Sequence, residues 1–237
     1  MFGRWIARKV WTWERRRTLK RRLARSGLLV LNYGDADRRR SLELVLRVGA
    51  ETHLGLELVE ACQLVMAVER TTKVPGDLAE VGVYRGGSAR LICEVKGGRP
   101  LHLFDTFEGI PDIEAVDAPH FRKGDWAAPL DQVEAFLRGY PNVTFYKGVF
   151  PETAGPVQTR RFSFVHLDVD TRRSTAAALE FFYPRLNPGG VLLAHDYRWA
   201  EGVRAAVDAF FVDKPEPVLD LPGSQALIVR SAAATAA

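Results

Sequence analysis

After Pro75-Gly76-Asp77 the hydrophobic period of the chain changes, and that change restricts the fold more than any other feature. Upstream, residues 28–75 carry apolar residues at mixed spacings of three and four, a helical pattern. Downstream, short apolar runs alternate with amphipathic stretches. The runs are LAEVGV (78–83), PLHLFDTF (100–107), NVTFYKG (142–148), RFSFVHLDVD (161–170), GGVLLAHDY (189–197), PVLDL (217–221) and QALIVR (225–230). Helical stretches at 87–96, 131–139, 174–184 and 200–212 fall between them. Such alternation predicts an α/β fold, a mostly parallel sheet with helices on both faces. Ligands of such sheets bind outside the carboxyl ends of the strands, where strand order reverses. The unusual polar residues sit at those ends: Glu80 with its glycines, then Asp105, then Asp168 and Asp170, then His195 and Asp196. A buried unpaired carboxylate is costly, so this shared placement marks a site.

The first strand end reads EVGVYRGGS. Gly82, Gly86 and Gly87 allow a tight strand-to-helix turn and close approach of a ligand to backbone N–H groups. Asp105, on the next strand, is placed to accept hydrogen bonds from a ribose diol. A dinucleotide site prefers G-x-G-x-x-G, whereas this chain has G-x-x-x-G-G preceded by an acid. Glu80 would repel a pyrophosphate and would suit a ligand with a cationic amino-acid part, such as S-adenosylmethionine. A turn made only for packing is the plainer alternative.

Charge is unevenly spread. Residues 1–27 carry ten Lys/Arg and one acid, whereas the remainder carries 23 bases and 28 acids. The basic balance therefore belongs to an N-terminal arm, and the slightly acidic body argues against a broad nucleic-acid surface. Phe2, Trp5, Ile6, Val10 and Trp13 share one side of a helical wheel in that arm. Contact with an anionic membrane surface is one reading of it. A solvated extension and a helix packed on another subunit of a homo-oligomer are the others. Two cysteines without metal-ligand spacing suit a reducing compartment. No apolar run approaches the ~18 residues of a membrane span. The expected place is cytoplasmic, with a peripheral position at the inner membrane surface as a variant. The expected division is a basic, helical extension over 1–45 and a catalytic domain over 46–237 that begins with a helical cap at about 46–74.

EVGVYRGGSA, LFDTFEGIPD, NVTFYKGVFPET, LDVDTRRST, GGVLLAHDY and GVRAAVDAFF, in this order, resemble the macrocin O-methyltransferase family over roughly residues 70–230. The resemblance implies a Rossmann-like class I methyltransferase fold: seven strands, mostly parallel, ending in an antiparallel hairpin. It implies S-adenosylmethionine as cofactor, a sugar hydroxyl of a natural product as acceptor, and a divalent metal, Mg²⁺ or Mn²⁺. Carried over by position, Glu80, Gly82, Tyr84, Gly86, Gly87 and Ser88 would line the methionine and ribose side. Asp105 would hold the ribose, and Thr106 and Phe107 would border the adenosine.

A sugar hydroxyl is a poor nucleophile at neutral pH, and a metal or a base can improve it. Asp168 and Asp196 could supply carboxylates to the metal. Asp170 is the first choice as base, with His120 and His195 as rivals. Two departures from the family pattern bear on this. The family commonly carries Asp-Asp-Tyr where this chain has His195-Asp196-Tyr197; imidazole suits softer ions than Mg²⁺, so His195 reads as a third metal ligand, as a support to the ligands or as the base. The family often has an aromatic residue just after the acid pair, where this chain has Arg172 and Arg173; solvated helix-start residues are the favoured reading, and an Arg172 turned into the pocket toward an anionic substrate group is the other. His53 has no evident partners, and His102 and His166 read as core residues. Trp126 and Trp199 read as either sugar platforms or core covers. The leading function is O-methylation of a sugar or glycosylated small molecule. A non-catalytic nucleoside-binding scaffold, a nicotinamide-dependent oxidoreductase, and a methyltransferase acting on RNA or a lipid-linked glycan are the alternatives.

Overall fold

The computed structural model describes residues 17–18, 20–25 and 35–232. The apolar stripe read on residues 2–13, and with it the membrane reading of the arm, lies outside them. The chain divides into two compact units, Met1–Arg40 and Ser41–Ala237. In the first, residues 20–25 are helical. The Asp35 carboxylate there accepts the Arg38 amide at 3.0 Å, which caps the helix that follows.

The helices are α1 (Ala36–Glu51), α2 (Leu58–Arg70), α3 (Gly87–Val95), α4 (Leu130–Phe136), α5 (Arg172–Phe182) and α6 (Glu201–Phe211). The strands are β1 (Asp77–Val81), β2 (Leu101–Asp105), β3 (Val143–Lys147), β4 (Phe162–Leu167), β5 (Leu186–Ala194), β6 (Leu219–Asp220) and β7 (Ala226–Val229). They form one seven-stranded sheet in the order β3-β2-β1-β4-β5-β7-β6. Strands β1 to β5 run parallel, and β7 pairs antiparallel with both β5 and β6. The expected α/β fold with its antiparallel C-terminal hairpin is present. The strand at 217–221 is reduced to two residues.

Burial follows from this order. β4, central and covered on both faces, is buried along its whole length. β3, at one edge, exposes Thr144 and Lys147. Polar edge positions and the very short β6 discourage pairing with another sheet. Beneath β2 and β4 lies an aromatic cluster. Phe104 stacks on Tyr146 at 4.6 Å between ring centroids, and Phe150 stacks on Phe182 at 5.3 Å. Phe162 meets Phe182 edge-on at 5.0 Å, the geometry that ring quadrupoles favour.

Strand order reverses between β1 and β4, so a crevice opens beyond their carboxyl ends. The far side of the sheet is tied down by Glu216. Its carboxylate accepts from the Ser231 amide and hydroxyl, the Tyr183 hydroxyl and the Arg230 guanidinium. Burial would raise its pKa, but these donors hold it at about 2 instead of the ordinary 4.5. A depressed folded-state pKa stabilises the protein above pH 4.5, and the contribution fades as pH falls toward 2. Glu216→Gln is therefore expected to lower stability at neutral pH and to flatten its acid dependence over that window. Urea unfolding at a series of pH values checks this, and parallel acid limbs in the two proteins would refute it.

Candidate active site

The turn after β1 is shaped first by contacts within the chain. Gly82 has φ +85°, and a Cβ there would fall 1.8 Å from the Asp168 carbonyl oxygen. Gly87 faces the Leu54 backbone, where a Cβ would lie 2.9 Å from its Cα. The bare backbone expected to receive a ligand thus admits β4 and the α1–α2 loop. Asp105 completes the turn from the end of β2. Its Oδ2 accepts the amides of Val83 and Tyr84 at 2.6 and 2.9 Å, and its Oδ1 accepts that of Phe107 at 2.6 Å. A carboxylate offers about four acceptor positions; the Thr106 hydroxyl stands 3.5 Å from Oδ1 but donates its one hydrogen to the Gly109 carbonyl at 2.6 Å, so one position on Oδ1 remains for a ligand hydroxyl.

A cavity opens at this turn, and Gly82, Tyr84, Ser88, Asp105 and Thr106 line it together with Asp168, Asp170, His195 and Asp196. Four other residues expected at the ligand do not reach its wall. Glu80 is fully buried and pairs with His166, Oε1 to Nδ1 at 2.8 Å. Its desolvation raises the carboxyl pKa despite the histidine, so a sealed pair stands where a ligand contact was expected. Gly86 faces Val133 and Phe136, Gly87 faces Leu54, and Phe107 packs toward Phe145 at 6.4 Å. These three serve packing, Gly86 against α4, Gly87 against the α1–α2 loop and Phe107 against β3.

The opposite wall carries the acids. Asp168 follows β4, and His195 and Asp196 follow β5, its parallel neighbour. His195 Nδ1 lies 3.0 Å from Asp168 Oδ1 and 3.2 Å from Asp196 Oδ1, yet neither oxygen lies on the N–H axis. Its Nε2 hydrogen-bonds Glu60 Oε2 at 3.2 Å. Burial would lower the pKa of His195, but the negative charge of Asp168 and the nearby carboxylates of Asp196 and Glu60 raise it well above its usual range. Nε2 is taken by Glu60, so any role of His195 as base or ligand falls to Nδ1. Asp168 is held below the usual carboxylate range: burial opposes this, and His195 outweighs it. Asp170 is pushed well above that range by burial and by the charges of Asp168 and Asp196. Ligand atoms of Asp168, His195 and Asp196 fall within 4.8 Å of one another. Ligands about 2.1 Å from an octahedral ion stand about 3 Å apart, close to the spacings here. A buried nitrogen without a hydrogen bond, facing two carboxylates, is a donor set that fits a divalent ion.

Glu60 was not legible as a site residue. It sits in the first turn of α2, 2% exposed, and also accepts the Glu57 amide at 2.8 Å and the Ser224 amide at 2.5 Å. Burial favours its protonation, but His195 and these amides lower its pKa, so it stands ionised. The sequence signal is a first-turn acid of the capping-box kind, which suggests nothing beyond a helix start.

Aromatic residues form the rim. Trp126 and Trp199, 43% and 53% exposed, both line the cavity. His53 is not isolated: it lies 6.0 Å from Tyr84 and 6.3 Å from Trp126, and those two meet edge-on at 5.2 Å. His120 is exposed, rests on Trp199 at 4.6 Å, and does not line the cavity, because its loop turns it outward. That loop is anchored by buried Asp117, which accepts the Arg172 and Glu114 amides at 3.0 Å each. The Arg172 and Arg173 side chains face Glu114 and Asp112 in solvent, as expected of helix-start residues. Tyr84, Trp126, Asp170 and Asp196 all have positive φ, and a non-glycine residue in that region is commonly found where a site dictates the backbone. A second groove, on the α1–α2 side, shares Leu54, Gly55, His195, Asp196 and Trp199 with the cavity; Val45, Leu46 and Leu58 give it apolar lining beside Glu57 and Glu60.

The sequence profile of the macrocin O-methyltransferase family (Macrocin-O-methyltransferase, TylF) matches residues 14–217. The chain belongs to this family. The match reaches into the basic arm, which the motif resemblance did not cover. Among its relatives is the 8-demethyl-8-(2,3-dimethoxy-alpha-L-rhamnosyl)-tetracenomycin-C 4'-O-methyltransferase of Streptomyces olivaceus. It is 37% identical over 164 residues, which are 62% of this chain and 63% of the relative, so the chain spans less than two thirds of that protein. The demethyldecarbamoylnovobiocin O-methyltransferase of Streptomyces niveus is 28% identical over 68% of each chain. Among solved structures, the O-methyltransferase NovP has a TM-score of 0.65 and 27% identity, covering 72% of this chain and 78% of its own. An O-methyltransferase from Bacillus cereus in complex with SAH shares the fold at a TM-score of 0.54 and 14% identity, over 90% and 97% of the two chains.

Proposed function

We propose that the protein is an S-adenosylmethionine-dependent O-methyltransferase acting on a sugar hydroxyl of a glycosylated small molecule, with a divalent metal held by Asp168, His195 and Asp196. The observation that carries this reading is a cavity with a nucleoside-type acceptor, Asp105, on one wall and the Asp168–Asp170–Asp196 acids on the other. S-Adenosylmethionine supplies an electrophilic methyl group, and a divalent ion lowers the pKa of a neighbouring hydroxyl. The remaining tasks fall to the chain. Asp105 Oδ1 accepts a ribose hydroxyl, while its other bonds hold the Val83–Tyr84 turn against the ligand. Asp170, which lines the cavity beside Asp168 and Asp196, takes the acceptor's hydroxyl proton. Trp199 is common to the cavity and the apolar groove, so a sugar stacked on it has its aglycone over Leu46 and Leu58. The two relatives named above are O-methyltransferases of a rhamnosylated and a novobiocin-type compound, which supports a glycosylated acceptor. Cys62 and Cys93 are buried and form no disulfide, which suits a cytoplasmic place.

Calorimetric titration with S-adenosylhomocysteine tests the cofactor. Binding is expected, and Asp105→Ala is expected to weaken it at least about 30-fold, since hydrogen bonds to a charged group contribute about 1.5–3 kcal/mol and the turn is loosened as well. Absence of binding by the unaltered protein would overturn the methyltransferase reading. A thermal shift with NAD in place of S-adenosylhomocysteine would favour an oxidoreductase.

A further inference from the structure

His195, just after β5, has a partner from a helix distant in sequence. Glu60 lies 135 positions away in sequence and meets Nε2 at 3.2 Å. Both residues are nearly sealed from solvent, at 2% and 9% exposure. The Glu60 carboxylate can only accept, so the Nε2 that faces it carries the hydrogen. The proton that a bound ion would displace is then the one on Nδ1, the nitrogen that faces Asp168 and Asp196 without a hydrogen bond. Glu60 is itself held in place by the Glu57 and Ser224 amides, so its carboxylate cannot swing away without breaking two further bonds. A histidine oriented by a carboxylate on its other nitrogen is the usual arrangement at metal sites, where the partner fixes the tautomer and raises the basicity of the ligating atom.

We infer that Glu60 is a positioning residue that fixes His195 as an Nδ1 donor, and that the resulting one-nitrogen, two-carboxylate set selects a transition ion such as Mn²⁺ over Mg²⁺. This rests on the metal reading above and deepens it. Mg²⁺ demands oxygen ligands and gains little from imidazole, whereas the affinity of a nitrogen-containing site rises along the first-row ions from Mn²⁺ upward.

Metal binding to the full chain, without cofactor or acceptor, provides the test. Mn²⁺ is expected to bind at least about 10-fold more tightly than Mg²⁺, and pulsed electron paramagnetic resonance of the Mn²⁺ form is expected to show coupling to a ¹⁴N nucleus. His195→Asp should abolish that coupling and bring the two affinities together. Glu60→Ala should weaken Mn²⁺ by about 10- to 100-fold, the usual loss when such a partner is removed, and change Mg²⁺ much less. If Glu60→Ala does not fold, the spectrum and affinity ratio of the unaltered protein and of His195→Asp still decide. Mn²⁺ bound without ¹⁴N coupling, or an affinity ratio untouched by His195→Asp, would overturn the inference while leaving the metal reading in place. Failure to bind either ion would overturn both, and the S-adenosylhomocysteine titration would still report separately on the transferase.

Discussion

Gly82→Ala is expected to destabilise the protein by about 4 kcal/mol or more, enough to prevent recovery of folded material under ordinary conditions. Two costs combine. A left-handed conformation costs an L-residue about 1–2 kcal/mol, and Gly82 has φ +85°. The larger cost is steric. The new Cβ would stand 1.8 Å from the Asp168 oxygen and 2.7 Å from its carbonyl carbon. These are backbone atoms that cannot rotate away. The Asp168 amide donates to Val81 and the Gly82 amide donates to Phe104, both at 2.9 Å, so relief would break the β1–β4 or the β1–β2 pairing. Gly97→Ala is the matched control. It has φ +62° with nothing within 4 Å of the new atom, so only the conformational cost of about 1 kcal/mol applies. Urea unfolding of both variants checks the contrast. Equal small losses would mean that β4 can yield at Asp168, and that the crevice is softer than its packing indicates.

Asp168→Asn is expected to reduce methyl transfer to a glycoside acceptor by about 10³-fold, equivalent to about 4 kcal/mol at 1.36 kcal/mol per tenfold. Asp168 is the acid that His195 holds ionised, and it contributes to the candidate metal cluster from the end of β4. An amide keeps the shape but loses the charge, so the metal should be lost while S-adenosylhomocysteine affinity changes by no more than about threefold. Single-turnover assays beside calorimetry separate the two effects. Activity within tenfold of the unaltered enzyme would remove Asp168 from the chemistry. Loss of both activity and cofactor binding would assign it to the fold of the crevice.

Parallel-sheet architecture was legible because it has a local signature: hydrophobic period and length change together at Pro75-Gly76-Asp77 and after each strand. The strand-end acids followed from the same reasoning. In a parallel sheet covered on both faces, charged groups have access to solvent and ligands at the carboxyl ends, so Asp105, Asp168, Asp170 and Asp196 had one place to converge. His120 was less tractable. Its position in a long loop said nothing about which way Asp117 and the α5 terminus would turn that loop. Glu80 misled for a related reason. Its place near a strand end is a local property, but its orientation depends on His166, directly across the β1–β4 ladder, where the two residues are register partners.

By itself, then, the sequence determined the layered α/β fold, the order of its elements and the strand ends at which a site would form, because those properties rest on short-range periodicity and on the cost of burying charge. Only the tertiary structure decided which neighbours each of those residues would meet. It set Gly82 against the Asp168 carbonyl, Gly87 against Leu54, and Glu60 against His195. Such contacts join segments far apart in the chain, and they depend on the packing of helices over the sheet, which no local pattern encodes.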